Sequence, residues 1–380
     1  MRMVSRVQTD VRGRKRKARV LWVTNLAAPY RLPVWRRLAE EVDLQVELLE
    51  PRERLAVDEG ANRGSDWVPG DAGFPIREAR TARIKRGEGR YYFLSDPRTL
   101  RRLATADAVV LGGWESPAYW QLLFAAKALR KRTIGFYEST LATQGFATGP
   151  IAWARRWFFA RLDGVVVPGP AAAQAVEAMG VDAARIHVGF NAVDSARFAQ
   201  VRHAPGRENA HRFIYVGQLI PRKEVGSLLQ AFADAAEPQD VLRIIGRGAL
   251  ESDLRSLASR LGIAGRVSWQ SFVPNSDMPA EFARADTLVL PSSEEVWGLV
   301  VNEALAAGLQ VVVTQNCGVV PSVRDMEGVF IASGPADLGP SLRRARAQYS
   351  GRIAEPEILE HTPEEFAETF RDAIIQTGGE

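Results

Sequence analysis

Two glutamates separated by seven residues, Glu295 and Glu303, bracket Val296, Trp297, Gly298 and Leu299 within residues 291–304. A strand-like apolar run at 286–290 leads into them, and an apolar stretch ending at Gly308 follows. That pattern predicts strand, loop and helix, with Gly298 where the chain must turn. A helix N-terminus presents unpaired N–H groups and the positive end of the helix dipole to an anion. Carboxylates on either side of it accept hydrogen bonds from hydroxyls. A ligand with hydroxyls at both ends and a pyrophosphate between them matches this arrangement, and a nucleotide sugar has that form. The plainer reading is that both acids only decorate a helix start, where negative charge is favourable.

Three further stretches carry compatible chemistry. In residues 213–223 a strand ends at Gly217, and a loop through Gln218 and Arg222 brings Lys223 ahead of a helix. Gly246, Arg247 and Gly248 lie between a strand and a helix, where glycines permit close backbone approach. Trp269-Gln270-Ser271-Phe272-Val273 ends another strand. Loops of this kind sit at the carboxyl ends of strands in open α/β sheets, where ligands bind.

Taken in this order, these motifs resemble the Glu-x7-Glu signature and its companions in the retaining GT-B glycosyltransferases, and family four most of all. The resemblance implies an α/β fold of two Rossmann-like, doubly wound domains facing a central cleft. It implies that Glu303 binds ribose hydroxyls and that Glu295 binds those of the donor sugar. Lys223, with Gly217, Gln218, Arg222 and the amides near Val296, Trp297, Gly298 and Leu299, would hold the phosphates. Gly246 and Arg247 match a glycine-containing segment, and Ser271, Phe272 and Val273 the stretch around the base. No cofactor is implied beyond a UDP- or GDP-linked sugar, and no metal. The implied acceptor is a sugar, a lipid-linked molecule or another small molecule. The chain departs from the pattern in four places: Glu224 stands where glycine is common, residues 25–31 replace a Gly-Gly turn after the first strand, and two more concern a cation and a histidine. Gln218 stands where an arginine is usual, and no histidine precedes His187. Glu138, at the end of the strand 133–137, is the candidate for the sugar contact a histidine often makes, and joins Glu295 as a candidate catalytic residue. Tyr30, Arg31, Trp114 and Glu115, at other strand ends of the first half, are candidates for binding the acceptor.

Composition bounds the rest. A chain of 380 residues, 46% of them hydrophobic, can fill two cores. No apolar run is long enough to span a bilayer, and the N-terminus lacks a signal-peptide h-region. The single cysteine, Cys317, forbids an internal disulfide and suits a reducing cytoplasm. Residues 1–19 hold eight Arg or Lys and one Asp, which leaves 41 basic against 44 acidic side chains elsewhere. The basicity therefore belongs to a tail rather than to a nucleic-acid-binding face. An anionic membrane surface is a candidate partner for that tail, and for the aromatic and basic residues of 77–92 and 150–162. That would make the protein cytoplasmic and peripheral.

Alternating strand and helix patterns run from 19 to 194 and resume from 211 to 350. They predict two α/β domains, and the resemblance implies that the N-terminal one binds the acceptor and the C-terminal one the nucleotide sugar. A disordered tail at 1–18 precedes them, and 195–210 reads as a linker. The stretch 51–95 is polar and lacks clear periodicity. A capping box at 362–365 opens a last helix, and the resemblance implies that 363–376 crosses back onto the first domain. Two alternatives stay open: a GT-B nucleotide-binding protein without transferase activity, and another GT-B enzyme such as a nucleotide-sugar epimerase.

Overall fold

A computed structural model of the chain describes residues 16–51, 72–86, 89–201 and 210–375. Its first sheet takes β1 (Arg19–Thr24), β2 (Asp43–Leu48) and β3 (Ile76–Glu78). A separate antiparallel hairpin of β4 (Thr81–Arg86) and β5 (Gly89–Leu94) follows. The sheet is then completed by β6 (Ala108–Leu111), β7 (Arg132–Phe136), β8 (Gly164–Val167) and β9 (Ile186–Val188). Strand order is β3-β2-β1-β6-β7-β8-β9, all parallel. Every residue of β6 and β8 is buried, which is why both read as unbroken apolar runs rather than alternating ones.

The second sheet comprises β10 (Arg212–Val216), β11 (Val241–Ile245), β12 (Val267–Gln270), β13 (Thr287–Leu290), β14 (Gln310–Thr314) and β15 (Val329–Ala332). Its order, β12-β11-β10-β13-β14-β15, is again parallel. In both sheets the strand order reverses beside the first strand, between β1 and β6 and between β10 and β13. Loops leaving the carboxyl ends there form the crevice in which ligands of such sheets bind.

The C-terminal helix Pro363–Ile375 leaves the second domain and packs on the first. Its Phe366, Phe370, Ala373 and Ile374 join Trp22, Trp35 and Phe136 in one core. The Phe370 ring lies 4.6 Å from Trp22 and 5.4 Å from Phe136. Gly189 must be glycine there, because a Cβ would fall 2.5 Å from the Phe366 ring.

Several boundaries differ from expectation. Residues 1–15 of the tail lie outside the described residues, but Arg16 is not loose: its guanidinium grips both oxygens of Asp107, at 2.9 and 2.8 Å. The stretch 195–210 opens with a helix, Ser195–Ala199, rather than a linker, and 202–209 lie outside the described residues. Phe190 and Phe198 already belong to the second domain's core, as does Ile358 beyond residue 350. The polar stretch 51–95 contains β3 and the hairpin. Residues 82–85 of β4 are all exposed, so no apolar alternation marked that strand.

Candidate active site in the interdomain cleft

On the second domain's side, two loops touch through glycines. A Cβ on Gly246, at φ +147°, would lie 1.8 Å from the Gly217 carbonyl oxygen. A Cβ on Gly248 would lie 2.2 Å from that of Leu219. The close approach these glycines serve is therefore between neighbouring loops, which brings residues 217–223 beside 246–248. Arg247 lies over the Phe272 ring at 5.2 Å, while Ser271 is exposed and Val273 half-buried. Gln218 is half-buried, and its carbonyl accepts from the Tyr215 hydroxyl at 2.8 Å. Glu224, at φ +52°, occupies the left-handed region ahead of the helix Val225–Ala235, a conformation that favours glycine.

Lys223 and Glu295 meet. The Lys223 ammonium donates to Glu295 Oε2, with only 12% and 13% of the two side chains exposed. Arg222 stands more open, 4.0 Å from Glu295 Oε1, and donates to the Glu294 carbonyl at 3.3 Å. The β13 loop is clamped from below: Gly318 N donates to Glu295 O and Val319 N to Trp297 O, at 3.0 and 3.1 Å. Gly298, at φ +101°, then caps the helix Leu299–Ala306 and, being glycine, offers no side chain to its first amides. One turn in, half-buried Glu303 has its carboxyl raised to about 7; burial is the cause, opposed by the charge of Arg197. Cation, helix start and two carboxyls thus lie along one edge of the crevice.

The first domain supplies the facing edge. Arg31, a candidate for binding the acceptor, is buried: it lies 4.2 Å over the Phe136 ring and donates from Nη2 to Glu138 at 3.1 Å. Its Nη1 has no partner. Tyr30 lies beside it, 5.4 Å from the guanidinium. Glu138 also accepts from Asn191 Nδ2 at 3.4 Å. From Asn191 the chain of bonds crosses the domains, since Asn302 Nδ2 donates to the Asn191 carbonyl at 2.8 Å and Trp297 Nε1 donates to Asn302 Oδ1 at 3.2 Å. Trp297 is buried by Phe190 and by Gly169, so only its backbone remains to face a phosphate. The sequence offered no sign that Asn302, between Val301 and Glu303, would bridge the domains.

Trp114 and Glu115, after β6, line a different feature. A cavity of about 460 Å³ lies among them, Tyr91, Trp120, Tyr137 and Arg155. The glycines before Trp114 are dictated locally: a Cβ on Gly112 would meet Thr24 at 2.7 Å, and one on Gly113 would meet Tyr119 at 2.7 Å. Asn25 Nδ2 donates to Glu115 Oε1 at 3.0 Å, and the Tyr119 hydroxyl donates to Asn25 Oδ1 at 2.9 Å, which fixes Glu115 at the cavity's edge.

Two family models match adjoining parts of the chain. Residues 21–197 match Glycosyltransferase Family 4, and residues 198–345 match Glycosyl transferases group 1. A D-inositol 3-phosphate glycosyltransferase of Thermomonospora curvata is 32% identical over 200 residues, 46% of each chain. One of Rhodococcus jostii is 29% identical over 228 residues, 53% of this chain and 50% of its own. The chain spans about half the length of the curated relatives it matches. Among solved structures, Anabaena HepE in complex with UDP and glucose superposes with a TM-score of 0.69 at 16% identity, covering 95% of this chain and all of its own. An Escherichia coli protein titled trehalose-6-phosphate, bound with UDP-2-fluoro glucose, gives 0.64 at 13% identity, over 95% of this chain and all of its own. At such identities the likeness concerns the fold, which is GT-B. Matched over both halves by models of this one group, the chain belongs to the group 1, family 4 glycosyltransferases.

Proposed function

We propose that the protein is a retaining glycosyltransferase that moves a sugar from a nucleoside diphosphate, UDP- or GDP-linked, to an acceptor hydroxyl. The observation that carries this reading is the Lys223–Glu295 pair beside the Gly298-capped helix, with Glu303 one turn on. A donor entering between the paired groups would give its pyrophosphate to Lys223 and its sugar hydroxyls to Glu295. Each charge keeps a partner, so neither is stranded in a partly buried site. The helix start and Lys223 would stabilise the negative charge that develops on the leaving phosphate, the electrostatic task that otherwise falls to a metal. Gln218 contributes no charge there, and Arg222, the nearest additional cation, would reach the same phosphates. Ribose hydroxyls would donate to Glu303.

Glu138, held by Arg31 and Asn191, would face the sugar from the first domain and orient the donor rather than act as a general base. The leaving phosphate oxygen would take the acceptor proton. Incubation with UDP- and GDP-sugars, followed by proton NMR, tests this reading. The first-formed anomer should keep the donor's configuration. An inverted anomer would remove the retaining assignment, and no donor consumption with any acceptor would favour a nucleotide-binding protein.

Contact with an anionic membrane is supported by Phe146 and Trp153, which are 67% and 66% exposed, with Arg156 exposed beside them. Phe158 and Phe159 of the same helix are core residues instead. Among the described residues no helix is long and apolar enough to cross a membrane.

A further inference from the structure

The cavity beside β6 and β7 has a chemistry that the donor site does not explain. Aromatic rings of Tyr91, Trp114, Trp120, Tyr137 and Phe146 contribute to its walls. About 460 Å³ is within the range of small-molecule pockets. Its charged groups are Glu115 and Arg155. Arg155 is 4% exposed and already committed: Nη1 donates to Gly145 O at 2.9 Å and Nη2 to Phe146 O at 3.2 Å. Only its buried Nε lacks a partner. With two N–H groups on carbonyls and Nε closed to solvent, this buried guanidinium is badly placed for the two-pronged grip on phosphate that the side chain otherwise favours. Glu115, fixed by Asn25, adds a negative charge that an anionic ligand would have to approach.

An alkyl chain fits no better. It would bury the exposed Glu115 carboxylate and the half-buried Gln144 amide without replacing the hydrogen bonds of water, at a cost for each group. A sugar ring meets both demands. Its C–H faces lie against aromatic rings, while its hydroxyls donate to carboxylate and amide oxygens and accept from an N–H. The cavity adjoins the cleft through Tyr137 and Ser139, the neighbours of Glu138 in the chain.

We propose that this cavity binds a neutral saccharide as the acceptor, and that it disfavours phosphorylated acceptors. Trp114 and Trp120 would supply the stacking surface, and Glu115 with the Gln144 amide the polar contacts. The proposal rests on the transferase reading for the word acceptor, but not for the binding itself.

The test titrates the full chain, by tryptophan fluorescence and saturation-transfer NMR, with three kinds of probe. These are neutral mono- and disaccharide methyl glycosides of gluco, galacto and manno configuration, myo-inositol 1-phosphate, and 1-octanol. At least one neutral glycoside should saturate. Its dissociation constant should rise about tenfold in Trp114→Ala and much less in Trp114→Phe, which keeps a ring. Melting curves of both variants establish that they are folded. The proposal is overturned if no neutral glycoside binds, if Trp114→Ala and Trp114→Phe bind it equally well, or if inositol phosphate or octanol binds more tightly. A nucleotide-sugar titration of the same preparation separates the two readings. Glycoside binding without donor binding would leave the cavity assignment and remove the transferase. Donor turnover without glycoside binding would do the reverse.

Discussion

Because burial raises the Glu303 carboxyl from its ordinary 4.5 to about 7, nucleotide-sugar binding should expel a proton from it. At pH 7 about half of the unliganded molecules would hold that proton. Ribose hydroxyls donating to the carboxylate favour its charged form and lower its pKa, so about 0.5 proton should leave per site occupied. The assay is calorimetric titration with UDP-glucose in phosphate and in Tris, whose ionisation heats differ widely. The pyrophosphate diester does not ionise near pH 7, so the difference reports the protein. The slope of binding enthalpy against buffer ionisation heat gives the protons released. Glu303→Gln should bring that slope close to zero and weaken binding. A wild-type slope near zero, or equal slopes in both proteins, would refute the assignment of Glu303 to the ribose.

The same residue makes a stability prediction of defined sign. Between pH 4.5 and about 7 the folded protein holds a proton at Glu303 that the unfolded chain has released, so its contribution to stability falls as pH rises through that window. Glu303 keeps a partly exposed face, which reduces the full effect of about 3 kcal/mol to about 1–2. Glu303→Gln should therefore gain melting temperature over wild type at pH 8 and not at pH 4.

Replacing Asn302 with Leu strands Trp297 Nε1 and the Asn191 carbonyl. It should cost about 1–3 kcal/mol for each, read by denaturant titration. Gly246→Ala sets a methyl against a backbone carbonyl that cannot move aside. A melting curve should show a loss at or above the upper end of about 1–3 kcal/mol. Phe370→Ala should cost about 3–5 kcal/mol and free the C-terminal helix for proteolysis, visible by mass spectrometry.

Parts of this were plain in the residues. β6 and β8, with Gly298 and the motif around it, announced themselves because parallel strands buried on both faces are continuously apolar and a left-handed turn asks for glycine. Glu224 marks the converse, a left-handed position without the glycine that would advertise it. The hairpin at 81–94 escaped notice because β4 is exposed and lacks an apolar face, although β5 sends Tyr92 into the first core. Arg31 read as a binding residue at the cleft edge, and nothing in Tyr30-Arg31-Leu32 tells that Phe136 and Glu138 will close over it. The aromatic cavity draws on residues 91, 114, 137 and 155, a juxtaposition that only folding creates.

The account depends on a donor being held between Lys223 and Glu295, and one comparison tests that directly. UDP- and GDP-sugars should be titrated into wild type, Lys223→Ala and Glu295→Gln. Loss of a charge-assisted phosphate contact predicts roughly 10–100-fold weaker donor binding for Lys223→Ala, in the free nucleoside diphosphate as well. Glu295→Gln should bind the nucleoside diphosphate like wild type and turn over the nucleotide sugar far more slowly. Undiminished donor affinity in Lys223→Ala would contradict the account at its centre.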